Sequence, residues 1–299
     1  MSPEKCIHIA IVGRPNVGKS TLLNRIVGEK ISITSHKPQT TRHRILGIKT
    51  IDHVQMIYTD TPGLQQQPEQ ALHKHMNRLV SQIVNDVDVI VFVVEAMNFN
   101  EGDAKVVSRL EHSDIPIILA INKIDAVSDK KLLLPYIEEL QKKLNFVHII
   151  PLSARKNKGV DALEKVIADM APEKAHEYGE DDITDRSLRF SVAEVVREKL
   201  TRYLNAELPY ALSVQIEVFK EKKNSVEIHA LIVVNKPSQK KIIIGKQGQM
   251  LKEVGIKARE DIEKIVGKNV FLKLWVKVQD GWANDERNLR ELGYDIDDE

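Results

Sequence analysis

The segment GRPNVGKS, residues 13–20, constrains the fold more than any other stretch of the chain. It fits the pattern G-x-x-x-x-G-K-[ST], follows the apolar run Ile7–Val12 and precedes the helix-spaced segment Thr21–Val27. This order predicts a strand, a glycine-rich turn and a helix, in which backbone N–H groups and the helix N-terminus bind phosphate. The alternative, a chance glycine-rich turn, does not account for the flanking elements. The predicted nucleotide contacts here are Gly13, Arg14, Pro15, Asn16, Val17, Gly18, Lys19, Ser20 and Thr21.

Apolar runs and helix-spaced segments alternate over the first 172 residues. The alternation predicts an α/β domain, with a mostly parallel sheet and helices on both faces. An antiparallel hairpin is expected at one edge, because Ile45–Ile51 and Val54–Tyr58 follow each other closely. The remaining strand candidates are Ile7–Val12, Val89–Val94, Ile115–Ile121 and His148–Leu152.

Two further motifs each follow a predicted strand, and ligands bind at that edge of open α/β sheets. DTPG, residues 60–63, places Asp60 near Mg²⁺ through a water and lets the Gly63 N–H meet a γ-phosphate. NKID, residues 122–125, offers Asp125 as a double acceptor for guanine N1–H and its 2-amino group, with Asn122 bracing the loops. A polar turn is the plain alternative for NKID alone, but three motifs in this order argue against coincidence. The predicted contacts here are Asp60, Thr61, Pro62, Gly63, Leu64, Asn122, Lys123 and Asp125.

Composition limits the remaining classes. The chain has 299 residues, which suggests two domains, and 42% hydrophobic with 29% charged residues excludes wholesale disorder. One cysteine excludes a disulfide framework and any zinc site with paired thiolates. The N-terminal residues show no signal-peptide pattern and no apolar run reaches membrane-spanning length, so we expect a cytoplasmic protein.

Charge is unevenly distributed, although the formal total is only +1. Residues 181–279 carry a net charge of +6 and residues 280–299 a net charge of −6. The basic part contains G-x-x-G at residues 245–248, between two predicted helices in an α-β-β-α-α-β order. This order resembles a bacterial-type KH domain, in which such a loop clamps single-stranded RNA. The predicted RNA contacts are Gly245, Lys246, Gln247, Gly248, Lys240, Lys241 and Lys252. Two roles are open for Trp275 and Trp282. They stack on bases, or they pack in the core or anchor a loop, and we favour the second role.

The motif series resembles that of small GTPases, and the whole chain resembles the Era family of ribosome-assembly GTPases. Besides the motifs above, the resemblance includes ITDRS (183–187), GIKARED (255–261) and GWANDERNLRELGY (281–294). It implies that LSA, residues 152–154, contacts the guanine ring through Ser153 and Ala154. It also implies that the loop SHKPQTTRHR, residues 35–44, supplies a second Mg²⁺ hydroxyl, for which Thr41 is our choice and Thr40 the rival. The family further implies GTP hydrolysis, binding near the 3′ end of 16S rRNA and a role in small-subunit assembly.

One departure bears on hydrolysis. Leu64 stands where Ras-like GTPases place a glutamine that orients the attacking water, so we expect slow intrinsic turnover. Related GTPases with an asparagine at the place of Asn16 use it to help hold a K⁺ ion near the phosphates. That role and a plain turn residue stay open as equal alternatives for Asn16.

We therefore expect a GTPase domain (1–172), a linker (173–187), a KH domain (188–279) and an acidic tail (280–299). The chain is expected to be a monomer. Two other functions remain open: a constitutive RNA-binding module with a structural nucleotide domain, and a GTPase peripheral to the inner membrane.

Overall fold

The computed structural model describes residues 3–35, 37, 40–63, 71–204, 208 and 211–294. They form two compact units, one drawn from residues 1–67 and 76–185 and the other from 68–75 and 186–299. Within the described ranges, no helix combines the length and the apolarity that crossing a bilayer requires.

A six-stranded sheet of order β2-β3-β1-β4-β5-β6 forms the centre of the first unit. All neighbouring pairs are parallel except β2 and β3, so the α/β prediction and the antiparallel edge hairpin are confirmed. Strand β4 is apolar and buried over residues 89–94, because helices cover both faces of a parallel sheet. The elements are β1 (Lys5–Val12), α1 (Lys19–Val27), β2 (Ile45–Ile51), β3 (Val54–Asp60), α2 (Ala71–Asn85), β4 (Val89–Glu95), α3 (Glu101–Leu110), β5 (Ile117–Asn122), α4 (Leu133–Gln141), β6 (His148–Pro151) and α5 (Val160–Met170).

The segment after α5, predicted as a linker, packs against the first unit through residue 178. The Lys174 N–H donates to the Glu4 carbonyl at 3.0 Å, and the Gln55 side chain accepts from the Glu177 and Tyr178 N–H groups at 2.8 and 3.0 Å. Further along, the Ile48 N–H donates to the Ile183 carbonyl. The polar, acidic composition of residues 173–187 suggested a linker. Most of the hydrogen bonds that hold this segment come from its backbone N–H and carbonyl groups, which every composition provides. The domain boundaries at 172, 187 and 279 stay a prediction.

The second unit has the expected α-β-β-α-α-β order. Its three-stranded sheet has the order β7-β8-β9, with β7 and β8 antiparallel and β8 and β9 parallel. Helices α6 and α8 pack on one face, where Val196, Ile232 and Ala258 belong to a fully buried core. The elements are α6 (Leu188–Tyr203), β7 (Leu212–Glu221), β8 (Ser225–Val234), α7 (Pro237–Ile244), α8 (Gln249–Val266), β9 (Asn269–Val278) and α9 (Glu286–Glu291).

Much of the predicted acidic tail is folded. The Trp282 ring is fully buried and its Nε1 donates to the Ala211 carbonyl at 3.3 Å, while Leu289 and Tyr294 are also buried. Asp285 caps α9 by accepting hydrogen bonds from two backbone N–H groups. Apolar residues spaced among the acids anchor this segment, so base stacking by Trp282 is excluded in this fold. Trp275 is half-buried and meets the His229 ring edge-on at 5.5 Å.

Candidate functional site

The phosphate loop joins β1 to α1 at the carboxyl edge of the first sheet, and its glycines are sterically required. A Cβ on Gly13 would lie 2.4 Å from the Val93 carbonyl oxygen, and one on Gly18 would lie 2.4 Å from the Asn122 amide nitrogen. Both have positive φ, at 153° and 102°, which disfavours other residues. The loop is therefore held tightly between β4 and the NKID motif.

Lys19 is the cation at the centre of this loop. Its Nζ donates to the Gly13 and Arg14 carbonyls at 2.8 and 3.0 Å, and its side chain is buried. Burial lowers the pKa of Lys19 to about 8, although the Asp60 carboxylate nearby favours the charged form. Among the residues that the structure describes, the Lys19 ammonium group donates to these two backbone carbonyls, and a phosphate group entering the loop would meet it.

Three hydroxyl groups surround the Asp60 carboxylate. Its Oδ2 accepts from Ser20 at 2.6 Å, from Ser32 at 3.0 Å and from Thr41 at 3.2 Å. The Ser20 and Thr41 hydroxyl oxygens are 3.0 Å apart. The structure thus brings together the residues expected at the metal, whereas Thr40 donates to the Lys37 carbonyl instead.

This group of oxygens fits a hard divalent cation. Asp60 is fully buried, and its Oδ1 accepts no hydrogen bond from any residue described. Burial raises the pKa of Asp60 despite the Lys19 charge and the three hydroxyl donors. Mg²⁺ prefers hydroxyl, carboxylate and water oxygens, so Ser20, Thr41 and Asp60 form a suitable donor set. Ser32 was not predicted, because a lone serine outside any motif carries no signal.

Asn122 links the three loops of the site. Its Nδ2 donates to the Val17 carbonyl at 2.8 Å, and its Oδ1 accepts from the Lys123 and Ala154 N–H groups at 2.8 and 3.0 Å. The side chain is buried, so each of these bonds is costly to break. Asn122 therefore holds the three loops together, as expected from the sequence.

Asp125 faces solvent beside this clamp. The Ser153 hydroxyl donates to Asp125 Oδ1 at 2.5 Å, and this bond holds the pKa of the Asp125 carboxyl below its ordinary value. Recognition of the guanine N1–H and 2-amino donors requires an ionised carboxylate that accepts hydrogen bonds. Ser153 and Ala154 thus lie next to Asp125 and Asn122, and their contact with guanine stays a prediction.

The remaining residues expected here are distributed as follows. The Thr61 hydroxyl donates to the Ile11 carbonyl at 2.8 Å, which fixes the start of the DTPG loop. A Cβ on Gly63 would lie 2.8 Å from the Pro15 ring, so this loop meets the phosphate loop closely. Asn16 is exposed with φ of 66°. Leu64 lies outside the described residues.

Arg14 was predicted as a nucleotide contact, which stays a prediction, and its guanidinium group forms salt bridges within the protein. Nε donates to Asp103 at 2.8 Å, and Nη2 donates to Glu95 at 2.9 Å. The Lys123 Nζ also donates to Glu95, at 2.9 Å. Neither acid was predicted, although a carboxylate ending a buried apolar strand, as Glu95 does, was a usable signal.

The G-x-x-G loop of the second unit is built differently. Gly245 has φ of 73°, and a Cβ there would lie 2.7 Å from Met250 Cβ, whereas one on Gly248 would meet nothing within 4 Å. Lys246 and Gln247 between them are exposed. Of the other predicted RNA contacts, Lys241 and Lys252 are exposed and Lys240 is half-buried.

The apolar run Ile242–Ile244 precedes this loop. Ile243 is fully buried and Ile244 packs against the core, but Ile242 is 50% exposed. The loop is therefore a charged surface with one apolar side chain beside it and open space at Gly248.

Comparisons with known proteins agree with both halves of this description. A family model described as a 50S ribosome-binding GTPase matches residues 8–123, and a KH domain model matches residues 207–283. The chain is 52% identical to GTPase Era of Pseudomonas fluorescens over 290 residues, covering 97% of each protein. It is 51% identical to GTPase Era of Marinobacter nauticus over 293 residues, covering 98% of this chain and 96% of the relative.

Two solved structures resemble the fold over nearly the full length. One is Era in complex with MgGDPNP and nucleotides 1506–1542 of 16S ribosomal RNA, at 40% identity and a TM-score of 0.94. The other is an Aquifex aeolicus Era variant bound to GDP·AlF4⁻, at 39% identity and a TM-score of 0.94. Each match covers 98% of this chain and 100% of the solved chain.

Proposed function

The chain belongs to the Era family of GTPases, and on that premise we propose that it binds the 3′ region of 16S rRNA and acts in small-subunit assembly. GTP and Mg²⁺ occupy the first unit and single-stranded rRNA occupies the G-x-x-G surface. One observation carries the nucleotide part: the Asn122 side chain ties the phosphate loop, the NKID loop and the LSA loop together at one sheet edge.

Each residue has a defined task in this proposal. Lys19 donates to the β- and γ-phosphates, and Asp125 accepts from guanine. Ser20, Thr41 and, through a water, Asp60 would hold Mg²⁺, which when bound would supply positive charge to neutralise the phosphate oxygens. With leucine at position 64, the attacking water is held by another group, and intrinsic turnover is slow.

We extend the proposal to a K⁺ ion held near the phosphates by Asn16. This is supported by the position of Asn16 in the phosphate loop, where the residue is exposed and has a left-handed backbone with φ of 66°, and by its amide oxygen, which is a suitable ligand for a monovalent cation. The ion would supply positive charge that other GTPases obtain from an arginine.

The RNA part is supported by charge and exposure. Residues 236–252 contain five lysines and no acid, and G-x-x-G lies within them. Lysines neutralise phosphates, while the open space at Gly248 lets a nucleic-acid backbone approach.

The experiment that tests this function is filter binding of a 3′ fragment of 16S rRNA with a GTP analogue, with GDP and with no nucleotide. We expect RNA affinity to depend on the nucleotide. Equal affinity in all three states would instead identify a constitutive RNA-binding module, and no binding at all would reject the RNA assignment. Phosphate release from GTP, measured in parallel, tests hydrolysis directly.

Peripheral attachment of a cytoplasmic protein to the inner membrane is a second candidate, favoured by one observation. Leu132 and Leu134, before and at the start of α4, are 51% and 69% exposed, and Lys130 and Lys131 adjoin them. Basic and apolar side chains together suit an anionic lipid surface. Co-sedimentation with phosphatidylglycerol vesicles should fall when both leucines become serine. We propose a monomeric state, which light scattering after size exclusion would check.

A further inference from the structure

Four charged side chains form a continuous chain beside the nucleotide site, in the order Asp103, Arg14, Glu95, Lys123. Arg14 Nε donates to Asp103 Oδ2 at 2.8 Å and Arg14 Nη2 donates to Glu95 Oε2 at 2.9 Å. Lys123 Nζ donates to the second oxygen of the same carboxylate, Glu95 Oε1, at 2.9 Å. Negative and positive charges alternate, so every member has an oppositely charged neighbour.

Glu95 is held firmly at the centre of this chain. It is the last residue of β4 and pairs in the parallel ladder with Asn122, which precedes Lys123. Its carbonyl accepts from the Tyr136 hydroxyl at 3.1 Å, and its Oε2 also accepts from the Asn98 amide at 3.2 Å. The carboxylate therefore has little freedom to leave its two cations.

Asp103 anchors the other end. It lies in the first turn of α3, is fully buried, and accepts from the Asn100 N–H at 3.0 Å as part of the helix cap. Arg14 thereby connects the phosphate loop to a helix that contributes none of the nucleotide motifs. Because Lys19 donates to the Arg14 carbonyl, the position of Arg14 affects the phosphate-binding lysine directly.

Partial burial raises the cost of removing any one member of these ion pairs. The exposed fractions of the side chains are 0% for Asp103, 13% for Arg14, 25% for Glu95 and 36% for Lys123. Burial alone would raise the pKa of Glu95, but hydrogen bonds from Lys123 and Arg14 outweigh it and leave that pKa below its ordinary value. Removing the shared carboxylate would leave two cations close together with less compensation.

We propose that Glu95 is a positioning residue of the nucleotide site, which couples the phosphate loop to the guanine-reading loop through Arg14 and Lys123. Lys123 adopts a left-handed backbone with φ of 65°, a conformation that costs energy in a non-glycine residue and that the bond to Glu95 helps to hold. A shift of either loop is transmitted to the other through one carboxylate. The inference rests on the proposed nucleotide site.

A purely structural role for Glu95 would lower stability without coupling the loops, so the test measures coupling. Arg14→Ala, Lys123→Ala and the double variant are made in the parent and again with Glu95→Gln. Affinity for a fluorescent GDP analogue is titrated for all eight proteins, and thermal melts identify any that do not fold. If Arg14→Ala does not fold, Arg14→Gln, which removes the charge but keeps a long polar side chain, replaces it. Glu101→Gln, an exposed acid in the same helix as Asp103, is the matched control.

We expect Glu95→Gln to weaken GDP binding by about tenfold, and the control to leave it unchanged. In the parent, the effects of the Arg14 and Lys123 substitutions should depart from additivity by about threefold or more, and in the Glu95→Gln background they should be additive. Equal coupling in both backgrounds, or none in the parent, would overturn the inference. A parent chain that fails to bind GDP would instead overturn the proposed function, so the two failures are distinguishable.

Discussion

The two surfaces proposed to bind phosphates, the nucleotide site and the G-x-x-G surface, are built in opposite ways. The nucleotide site is built around the buried side chains of Asn122, Asp60 and Lys19, each of which is held by hydrogen bonds. The G-x-x-G surface consists of exposed lysines around a turn whose second glycine faces open space. The first design should give effects that depend on individual atoms, and the second should give effects that depend on salt and on the charge placed at that surface.

The largest effect should come from Asp125→Asn in the nucleotide site. Two charge-assisted hydrogen bonds to guanine are lost, about 3–6 kcal/mol together, so GTP affinity should fall by at least a hundredfold. Affinity for xanthosine triphosphate should rise, because an amide donates to the 2-oxo group of xanthine. Fluorescent-nucleotide titration measures both, with the exposed Asp114→Asn as control. Unchanged GTP affinity would remove guanine reading from Asp125.

On the RNA surface, Lys246→Asp with Gln247→Asp should reduce rRNA binding by about a hundredfold or more, because like charges then face the phosphates. GTP binding should be unaffected. The matched control is Lys223→Asp with Asn224→Asp, the same change of charge in the exposed turn between β7 and β8. Gel-shift titration at two salt concentrations, with a thermal melt, measures the result. Equal losses in both variants would mean that net charge alone matters and that G-x-x-G is an ordinary turn.

Lys19→Ala should weaken GTP binding by roughly 10- to 150-fold, because one charged hydrogen-bond donor contributes about 1.5–3 kcal/mol. Ser20→Ala should reduce the Mg²⁺ dependence of binding, since it removes one oxygen of the Asp60 cluster. Lys142→Ala, which removes an exposed lysine of the same unit, should have no effect. If Lys19→Ala binds and hydrolyses GTP like the parent, the phosphate-loop assignment is wrong.

Nucleotide affinity should also fall as pH rises above about 8. Lys19 has a pKa of about 8 in the free protein, and bound phosphates would raise it, so binding takes up a proton in that range. Affinity then falls by up to about tenfold per pH unit above the free pKa, while below it this lysine adds no pH dependence. Titrations between pH 7 and 9.5 measure the slope. Lys19→Ala controls for titration of guanine itself, and an identical slope in that variant would contradict the assignment.

The smallest effect concerns the monovalent ion. GTP hydrolysis should be a few times faster in K⁺ than in Na⁺, because a bound cation stabilises charge developing on the phosphates. Asn16→Ala should remove the difference without changing GDP affinity greatly. Phosphate release at matched ionic strength measures this, and equal rates in both salts would exclude the K⁺ site.

A large part of both sites was predictable, because the motifs are local. A glycine-rich turn between a strand and a helix, or between two helices, follows from about ten consecutive residues. Because parallel strands end at the same edge of a sheet, strand direction alone predicts that DTPG and NKID lie at that edge. Local patterns also explain why three fold predictions were correct: the α/β class, the edge hairpin and the order of helices and strands in the second unit.

The sequence by itself determined the two folds and identified the residues that we propose contact phosphate and guanine. Only the tertiary structure placed Thr41 rather than Thr40 beside Asp60, joined Glu95 to Arg14 and Lys123, packed residues 173–178 against the first unit and buried Trp282. These contacts join positions that are far apart in the chain, such as 14 and 95. Which residues meet in such a contact is set by how the helices and strands pack. A buried ion pair leaves no periodic signal in the sequence around it.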